Sequence, residues 1–334
     1  MEKEMIDEFS YEILELGAKS FGVAPENLIH IGNWQNFIYE YKINGQSYIL
    51  RFTPSPHRPV NKVKGEIDWL LYLSKNGVSV SNPIESKNGH FVEVIETNNT
   101  GFIVTSFTKA LGRKIGYPEC LNDNELYYKL GRITGRIHSL SQKYKPSDKT
   151  IQRHDWHQNY YLQNIGKFVP INQKLVHESC FNLMKTIKDS LPKDETSYGL
   201  IHGDIGVGNF LVNEEGIITL FDFDEAQYSW FVEDIAVQLY YLVYVYGGEE
   251  GKNNREAQAY RFMEYFLKGY EREHSIDEYW LKQIPLFLKL REIIVYIGCN
   301  RSWDMTNLNQ WSKDYLTESK ERIEKGEPVV DIWK

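Results

Sequence analysis

The residues best suited to chemistry lie in His202-Gly203-Asp204-Ile205-Gly206-Val207-Gly208-Asn209, followed thirteen residues after the asparagine by Asp222. Transfer of a phosphoryl group to a hydroxyl needs a carboxylate that orients the attacking oxygen and accepts its proton. It also needs ligands for a metal ion that neutralises the phosphates. This segment can supply both. Asp204 would be the base. Asn209, an uncharged oxygen donor, and Asp222 would hold Mg²⁺, a hard ion that takes one or two protein carboxylates and leaves its other positions to phosphate and water. Asp224 stands ready to join Asp222 or to contact a second ion. In a purely structural reading His202 is a satisfied buried histidine and the acids cap turns. That reading is preferred for His202 alone, but turn formation requires no fixed register of Asp204 and Asn209 with a later strand end.

HGDxxxxN followed by FDFD resembles the aminoglycoside phosphotransferase and choline kinase type of family, which shares its fold with protein kinases. The protein-kinase pattern, His-Arg-Asp-x-x-x-x-Asn and then Asp-Phe-Gly, has the same Asp-to-Asn spacing. Here Gly203 takes the Arg slot and Asp224 the Gly slot, and both departures point to the small-molecule branch. The resemblance, spanning about residues 25–300, implies a bilobal protein-kinase-like α+β fold with ATP between the lobes and Mg²⁺-dependent transfer of the γ-phosphoryl group. It also implies that a basic residue on the third strand and an acid on an inserted helix pair to orient the ATP phosphates, places taken by Arg51 and Glu66. Many relatives have Lys on the strand; Arg still offers a charged, forked donor. Ser106 and Phe107, in the connector between lobes, would offer backbone groups to adenine. Asp234, at a helix start, would steady the catalytic loop without reacting. The turn Gly32-Asn33-Trp34-Gln35-Asn36 replaces a glycine-rich phosphate loop, yet with one glycine and a bulky Trp34 it reads equally well as a plain hairpin turn.

Two kinds of structure must position these groups. Residues 1–107 read as an N-terminal helix and a five-stranded antiparallel sheet with one inserted helix. Ile6, Phe9, Ile13, Leu16 and Phe21 carry a helical period over 5–21, and a strand follows at 28–31. Phe37 to Ile43 and Ser47 to Phe52 flank Asn44-Gly45, a favoured hairpin turn because both residues tolerate positive φ. The inserted helix runs from Val60 to Asn76 and stops at Gly77. Strands at 90–96 and 101–107 flank Asn98-Asn99-Thr100-Gly101. Residues 108–334 form a mainly helical lobe, with periodic stretches near 123–144, 156–166, 171–190, 231–246, 254–273, 277–298 and 307–325. One β hairpin, from Phe210 to Phe223, interrupts them.

Composition narrows the function. The chain has 334 residues, 42% of them hydrophobic and 25% charged, which excludes disorder as its main state. A net charge of −8 argues against a general nucleic-acid binder. The longest apolar stretch, Ile235 to Tyr246, is well short of the roughly 20 residues of a membrane span. The start lacks a secretory pattern, and Cys120, Cys180 and Cys299 form neither a CxxC pair nor an even set, so a reducing cytoplasm is expected. His154-Asp155-Trp156-His157 places two imidazoles three apart, but no third ligand motif lies nearby. Between Lys193 and Lys252 there are twelve acids and no Lys or Arg. Such a region favours a cationic acceptor, with Glu225, Glu233, Glu249 and Glu250 as candidates for lining its side. The expected enzyme is an ATP-dependent kinase of a small, amine-bearing hydroxyl compound. A protein Ser/Thr kinase and a catalytically silent nucleotide-binding protein are the alternatives.

Overall fold

The computed structural model describes residues 2–97 and 100–333, and the chain divides into two compact units. The small unit comprises Met1–Gly112, Lys145–Arg153 and Thr219–Asp224. Its first helices are α1 (Lys3–Glu8) and α2 (Tyr11–Ser20). The single helix expected over 5–21 is therefore two. Ser10 accepts a hydrogen bond from the Ile13 amide at 3.3 Å and caps α2, a geometry that requires Ser10 itself to leave the helix.

β1 (Ile29–Gly32), β2 (Phe37–Ile43), β3 (Gln46–Pro54), β4 (Pro83–Ile84), β5 (Glu93–Glu96) and β6 (Gly101–Thr108) form one antiparallel sheet in the order β1-β2-β3-β6-β4, with β5 also on β6. The expected hairpin turn is present, with φ of 51° at Asn44 and 82° at Gly45. The expected count of five strands becomes six. β3 occupies one edge of β6, and β4 and β5 share the other, opposite Ser106–Phe107 and Gly101–Val104 respectively. A two-residue strand that begins with proline has no alternating pattern to announce it. Of the turn expected at Asn98-Asn99-Thr100-Gly101, the two asparagines lie outside the described residues.

Phe37, Phe52 and Phe102 are buried on one face of this sheet, and Phe9 closes it, stacked on Phe37 at 3.9 Å and edge-on to Phe52 and Phe102 at 5.2 and 5.4 Å. Each such ring is worth roughly 1.5–3 kcal/mol of burial. α3 (Val60–Lys75) buries Val63, Ile67, Leu70 and Leu73, together with Glu66, and ends before Gly77 at φ 79°. The segment Thr219–Asp224 joins this unit as a short parallel addition: Leu220 bridges Val80, and Ser81 N donates to Leu220 O at 2.9 Å.

The large unit holds Arg113–Tyr144, His154–Ile218 and Glu225–Lys334. Its elements are α4 (Asn124–Ser141), α5 (Tyr160–Gln163), α6 (Ile165–Phe168), α7 (Lys174–Ser190), β7 (Tyr198–Ile201), β8 (Phe210–Val212), the start of β9 (Ile218–Leu220), β10 (Gln227–Trp230), α8 (Phe231–Val243), α9 (Gly248–Tyr270), α10 (Glu278–Leu281), α11 (Ile284–Ser302) and α12 (Gln310–Lys325). The helix expected over 156–166 is broken. Asn159 caps α5 by accepting from Tyr161 N at 3.0 Å, and Asn164 donates back to Tyr160 O at 2.8 Å. The helix expected over 277–298 is likewise split into α10 and α11, and Pro285 sits in the first turn of the second. A β ladder absent from the sequence reading pairs β7 with β10, Gln227 opposite Ile201 through Trp230 opposite Tyr198. No described helix is long and apolar enough to cross a membrane.

Candidate active site

His202, Gly203 and Asp204 follow directly on β7, and a carboxylate at the start of α8 holds the bend. Asp234, fully buried, accepts from Gly203 N at 2.7 Å and His202 N at 3.0 Å. His138 of α4 meets the same carboxylate through Nε2 at 3.2 Å and Tyr270 of α9 through Nδ1 at 2.7 Å. A carboxylate only accepts, so Nε2 of His138 is the donor in that contact. Burial alone would raise the Asp234 pKa, but the His138 bond, His202 and the Gly203 amide override it and hold the group below its ordinary value. Gly203 has φ +78°, and a Cβ there would lie 2.6 Å from Glu225 O. An arginine in this slot would need a different backbone.

The loop beyond the bend closes on itself. Asn209 N donates to Gly206 O at 3.0 Å, and the Asn209 side-chain amide donates to Asp204 O at 2.8 Å and to Asp204 Oδ2 at 3.1 Å. Two residues that the sequence reading did not single out hold the other oxygen of Asp204. The Tyr241 hydroxyl of α8 donates to Oδ1 at 3.0 Å, and Arg291 of α11 pairs with the same oxygen through Nη2. A Cβ at Gly206 would meet the Tyr241 ring at 2.7 Å, so the glycine makes room for that tyrosine. The available signals were faint: one arginine inside the apolar run Leu288 to Ile297, and one of the four tyrosines of Ile235 to Tyr246.

The small unit gathers a second set. Arg51 of β3 and Glu66 of α3 make a bidentate pair at 2.8 and 2.7 Å, each nearly inaccessible, with the Phe107 ring 4.9 Å from the guanidinium carbon. Desolvation works against the Arg51 charge, but the Glu66 carboxylate overrides it and raises the pKa, with Asp224 and Asp222 adding to the effect. Asp222 adopts φ 61°, a left-handed conformation that Asp tolerates better than most side chains. Asp224 accepts from Arg58 Nε at 3.0 Å and meets His57 Nε2 at 3.2 Å. Burial would raise its pKa; Arg58 and His57 drive it well below the ordinary carboxylate range instead. Arg153 donates to the Asp224 carbonyl and, at 2.7 Å, to Lys62 O, which ties the segment to α3.

Other expected groups are placed as follows. Ser106 and Phe107 lie within β6 with ladder partners on both sides, and Ser106 Oγ bonds Tyr41 OH at 2.7 Å and Ile49 O at 3.0 Å. In the turn before β2, Trp34 is exposed while Gln35 reaches His57 at 3.0 Å. Glu233 does not line an open surface: it is 3% exposed and accepts from Gln227 at 2.9 Å and from Ser229. Burial pushes its pKa up to about 7 against the Ser229 bond, and neighbouring Asp234 adds to the rise. Glu225 accepts from Asn159 at 3.0 Å. The side chains of Glu249 and Glu250 lie outside the described residues.

Asp204 and Asn209 thus form one cluster, and Asp222, Asp224, Arg51 and Glu66 a second, each within its own unit. Each cluster, taken by itself, offers oxygen of the kind a hard divalent cation takes: in the one, Asn209, its amide nitrogen turned to Asp204, keeps its Oδ1 outside those bonds, and in the other Asp222 presents a carboxylate.

A profile of the phosphotransferase enzyme family matches residues 30–274. The amicoumacin kinase of Bacillus subtilis (strain 168) is 34% identical over 324 residues, covering 96% of this chain and 93% of that protein. The solved structure of amicoumacin kinase hAmiN, in complex with AMP-PNP, Ca²⁺ and Ami, superposes with a TM-score of 0.89 at 32% identity over 99% of this chain and 98% of that one. A microcompartment-associated aminopropanol kinase shares the fold, with a TM-score of 0.71 at 18% identity over 95% of this chain and 98% of that one. The protein is an ATP-dependent kinase that phosphorylates a hydroxyl of a small molecule. By sequence over most of its length and by its α+β fold, the chain belongs to the phosphotransferase enzyme family.

Proposed function

We propose that the acceptor is an amine-bearing hydroxyl compound of the amicoumacin type, and that Asp204 takes the proton of its hydroxyl. The observation that carries the role of Asp204 is its loop: the backbone is anchored twice on buried Asp234 and closed by Asn209, while the carboxylate stays partly open, 23% exposed. A proton acceptor has to be both fixed and reachable. Similarity to the Bacillus subtilis amicoumacin kinase over nearly the whole chain supports the acceptor class.

In this reading Arg51, squared up by Glu66, holds ATP phosphate oxygens, and Asn209 and Asp222 are the ligands of Mg²⁺. When bound, the ion neutralises phosphate charge that the acid-rich segment would otherwise repel. Asp224 takes the part of an anchor instead of a ligand, because Arg58 and His57 already engage its carboxylate and fasten the turn that carries Asp222. The cysteines are free and buried, which suits a cytoplasmic site of action.

An acceptor screen tests the reading. ADP release is measured with ATP and Mg²⁺ against amicoumacin, amino alcohols, hydroxy amino acids, aminoglycosides, neutral alcohols, sugar phosphates and a Ser/Thr peptide mixture. Turnover with amicoumacin or another amine-bearing alcohol is the expected result. Preference for neutral or anionic alcohols, or for peptide hydroxyls, would overturn it.

A further inference from the structure

Between Lys193 and Lys252 there is no Lys or Arg, so the loop bearing Asp204 has no cation of its own. Arg291 supplies one from α11. Its side chain is 8% exposed against 23% for Asp204, its Nη2 pairs with Asp204 Oδ1, and its Nη1 donates to Gly203 O at 3.3 Å. The same guanidinium meets the Tyr241 hydroxyl and lies 5.0 Å from the Tyr241 ring centre, while that hydroxyl donates to Asp204 Oδ1 at 3.0 Å. Arg291 therefore grips both the backbone and the side chain of the bend.

The geometry distinguishes the two oxygens of Asp204. Oδ1 receives a guanidinium and a hydroxyl and has no lone pair to spare. Among the described residues, Oδ2 receives only the Asn209 amide at 3.1 Å. Burial and Asp204 together keep the Tyr241 hydroxyl protonated far into the alkaline range, although Arg291 opposes them, so it remains a donor at any working pH. A buried ion pair is weak evidence of a role in stability, since a well-packed apolar substitute is often as good. One that locks a reactive carboxylate in a single rotamer has a use that an apolar substitute lacks.

We propose that Arg291, with Tyr241, is a positioning residue for phosphoryl transfer, fixing Asp204 so that Oδ2 is the atom that receives the proton. The inference rests on the reading of Asp204 as proton acceptor. As the acceptor oxygen bonds to the γ-phosphorus of ATP, its proton passes to Oδ2. The bond from that phosphorus to the bridging oxygen breaks with its electron pair, leaving ADP, and Asp204 later releases the proton to solvent.

Steady-state kinetics on the full chain, with ATP, Mg²⁺ and the best acceptor of the screen, test this. Arg291→Met should lower kcat about 10²-fold with the KM for ATP within twofold, and Arg291→Lys should recover at least about tenfold of the loss. Tyr241→Phe, which keeps the ring and removes one donor to Oδ1, should lower kcat about fivefold, and it decides the matter if Arg291→Met does not fold. In an Asp204→Asn background the Arg291→Lys change should have no further effect. A kcat within twofold of the parent for Tyr241→Phe or for folded Arg291→Met overturns the positioning role. So does equal loss in both Arg291 variants, or additivity with Asp204→Asn. Should Asp204→Asn itself retain turnover, the reading of Asp204 is what has failed.

Discussion

The Arg51–Glu66 pair allows the most quantitative test of the nucleotide assignment. Both side chains are almost inaccessible, 4% and 1% exposed, and joined by two bonds of 2.8 and 2.7 Å. Removing one partner strands the other charge in a site lined by Phe107. Such a break costs about 3–5 kcal/mol, whereas replacing both partners by apolar residues of similar volume is often close to neutral. Glu66→Leu and Arg51→Met should each therefore destabilise by about 3 kcal/mol or more, and the double variant by much less than their sum. A coupling of at least about 3 kcal/mol is expected from a urea-denaturation cycle. Nucleotide binding separates structure from function. Arg51 in contact with phosphate would contribute about 1.5–3 kcal/mol, so the double variant, though folded, should bind MgATP about 10–100-fold more weakly by calorimetry. Additive stability losses would mean that the two residues do not act as a pair. Unchanged MgATP affinity in the double variant would remove Arg51 from the nucleotide site.

Three further outcomes follow from the same geometry. Asp204→Asn should lower kcat by about 10²–10⁴-fold with little change in ATP affinity, measured by steady-state kinetics and calorimetry; retained turnover in the purified variant would end its assignment as base. Asp222→Ala should abolish the gain in nucleotide affinity that Mg²⁺ confers, and equal Mg²⁺ dependence in both proteins would refute the ligand role. Glu233 has a folded pKa of about 7 against an ordinary 4.5, so the folded state binds the extra proton and loses stability as pH rises through that window. Glu233→Gln should therefore flatten the fall in unfolding free energy between pH 5 and pH 8 by about 3 kcal/mol, and an unchanged pH slope would place the ionisation elsewhere.

Legibility in the sequence followed the range over which each determinant acts. The Asn44-Gly45 hairpin, the end of α3 at Gly77 and the helical period of α4 are local and were readable. So was the pairing of Arg51 with Glu66, since family resemblance put both on named elements. The interruptions were not. Ser10, Asn159 and Asn164 break helices by bonding to the backbone, and an apolar count registers no such competition. β4 and the β7–β10 ladder are too short for an alternating pattern to stand out. Arg291 and Tyr241 were missed because Asp204 meets them 87 and 37 positions along the chain, in helices whose composition announces only burial.

That distance in sequence changes how the acid-rich stretch acts. Summed from the sequence, twelve acids without a compensating cation suggest a broad field drawing amines toward the site. In the structure two of the motif acids are matched by cations from elsewhere: Asp224 by Arg58, 166 positions away, and Asp204 by Arg291. Asp234 is taken up by His138 and the loop amides, and Glu233 is buried among Gln227 and Ser229 with a raised pKa. A field built from carboxylates so paired falls off steeply, because each pair looks nearly neutral beyond a Debye length of about 8 Å at physiological salt. For the amine-bearing acceptor proposed above, selectivity then rests on short-range contacts to particular oxygens, and it should appear in KM and kcat for matched amines and alcohols more than in the salt dependence of their capture.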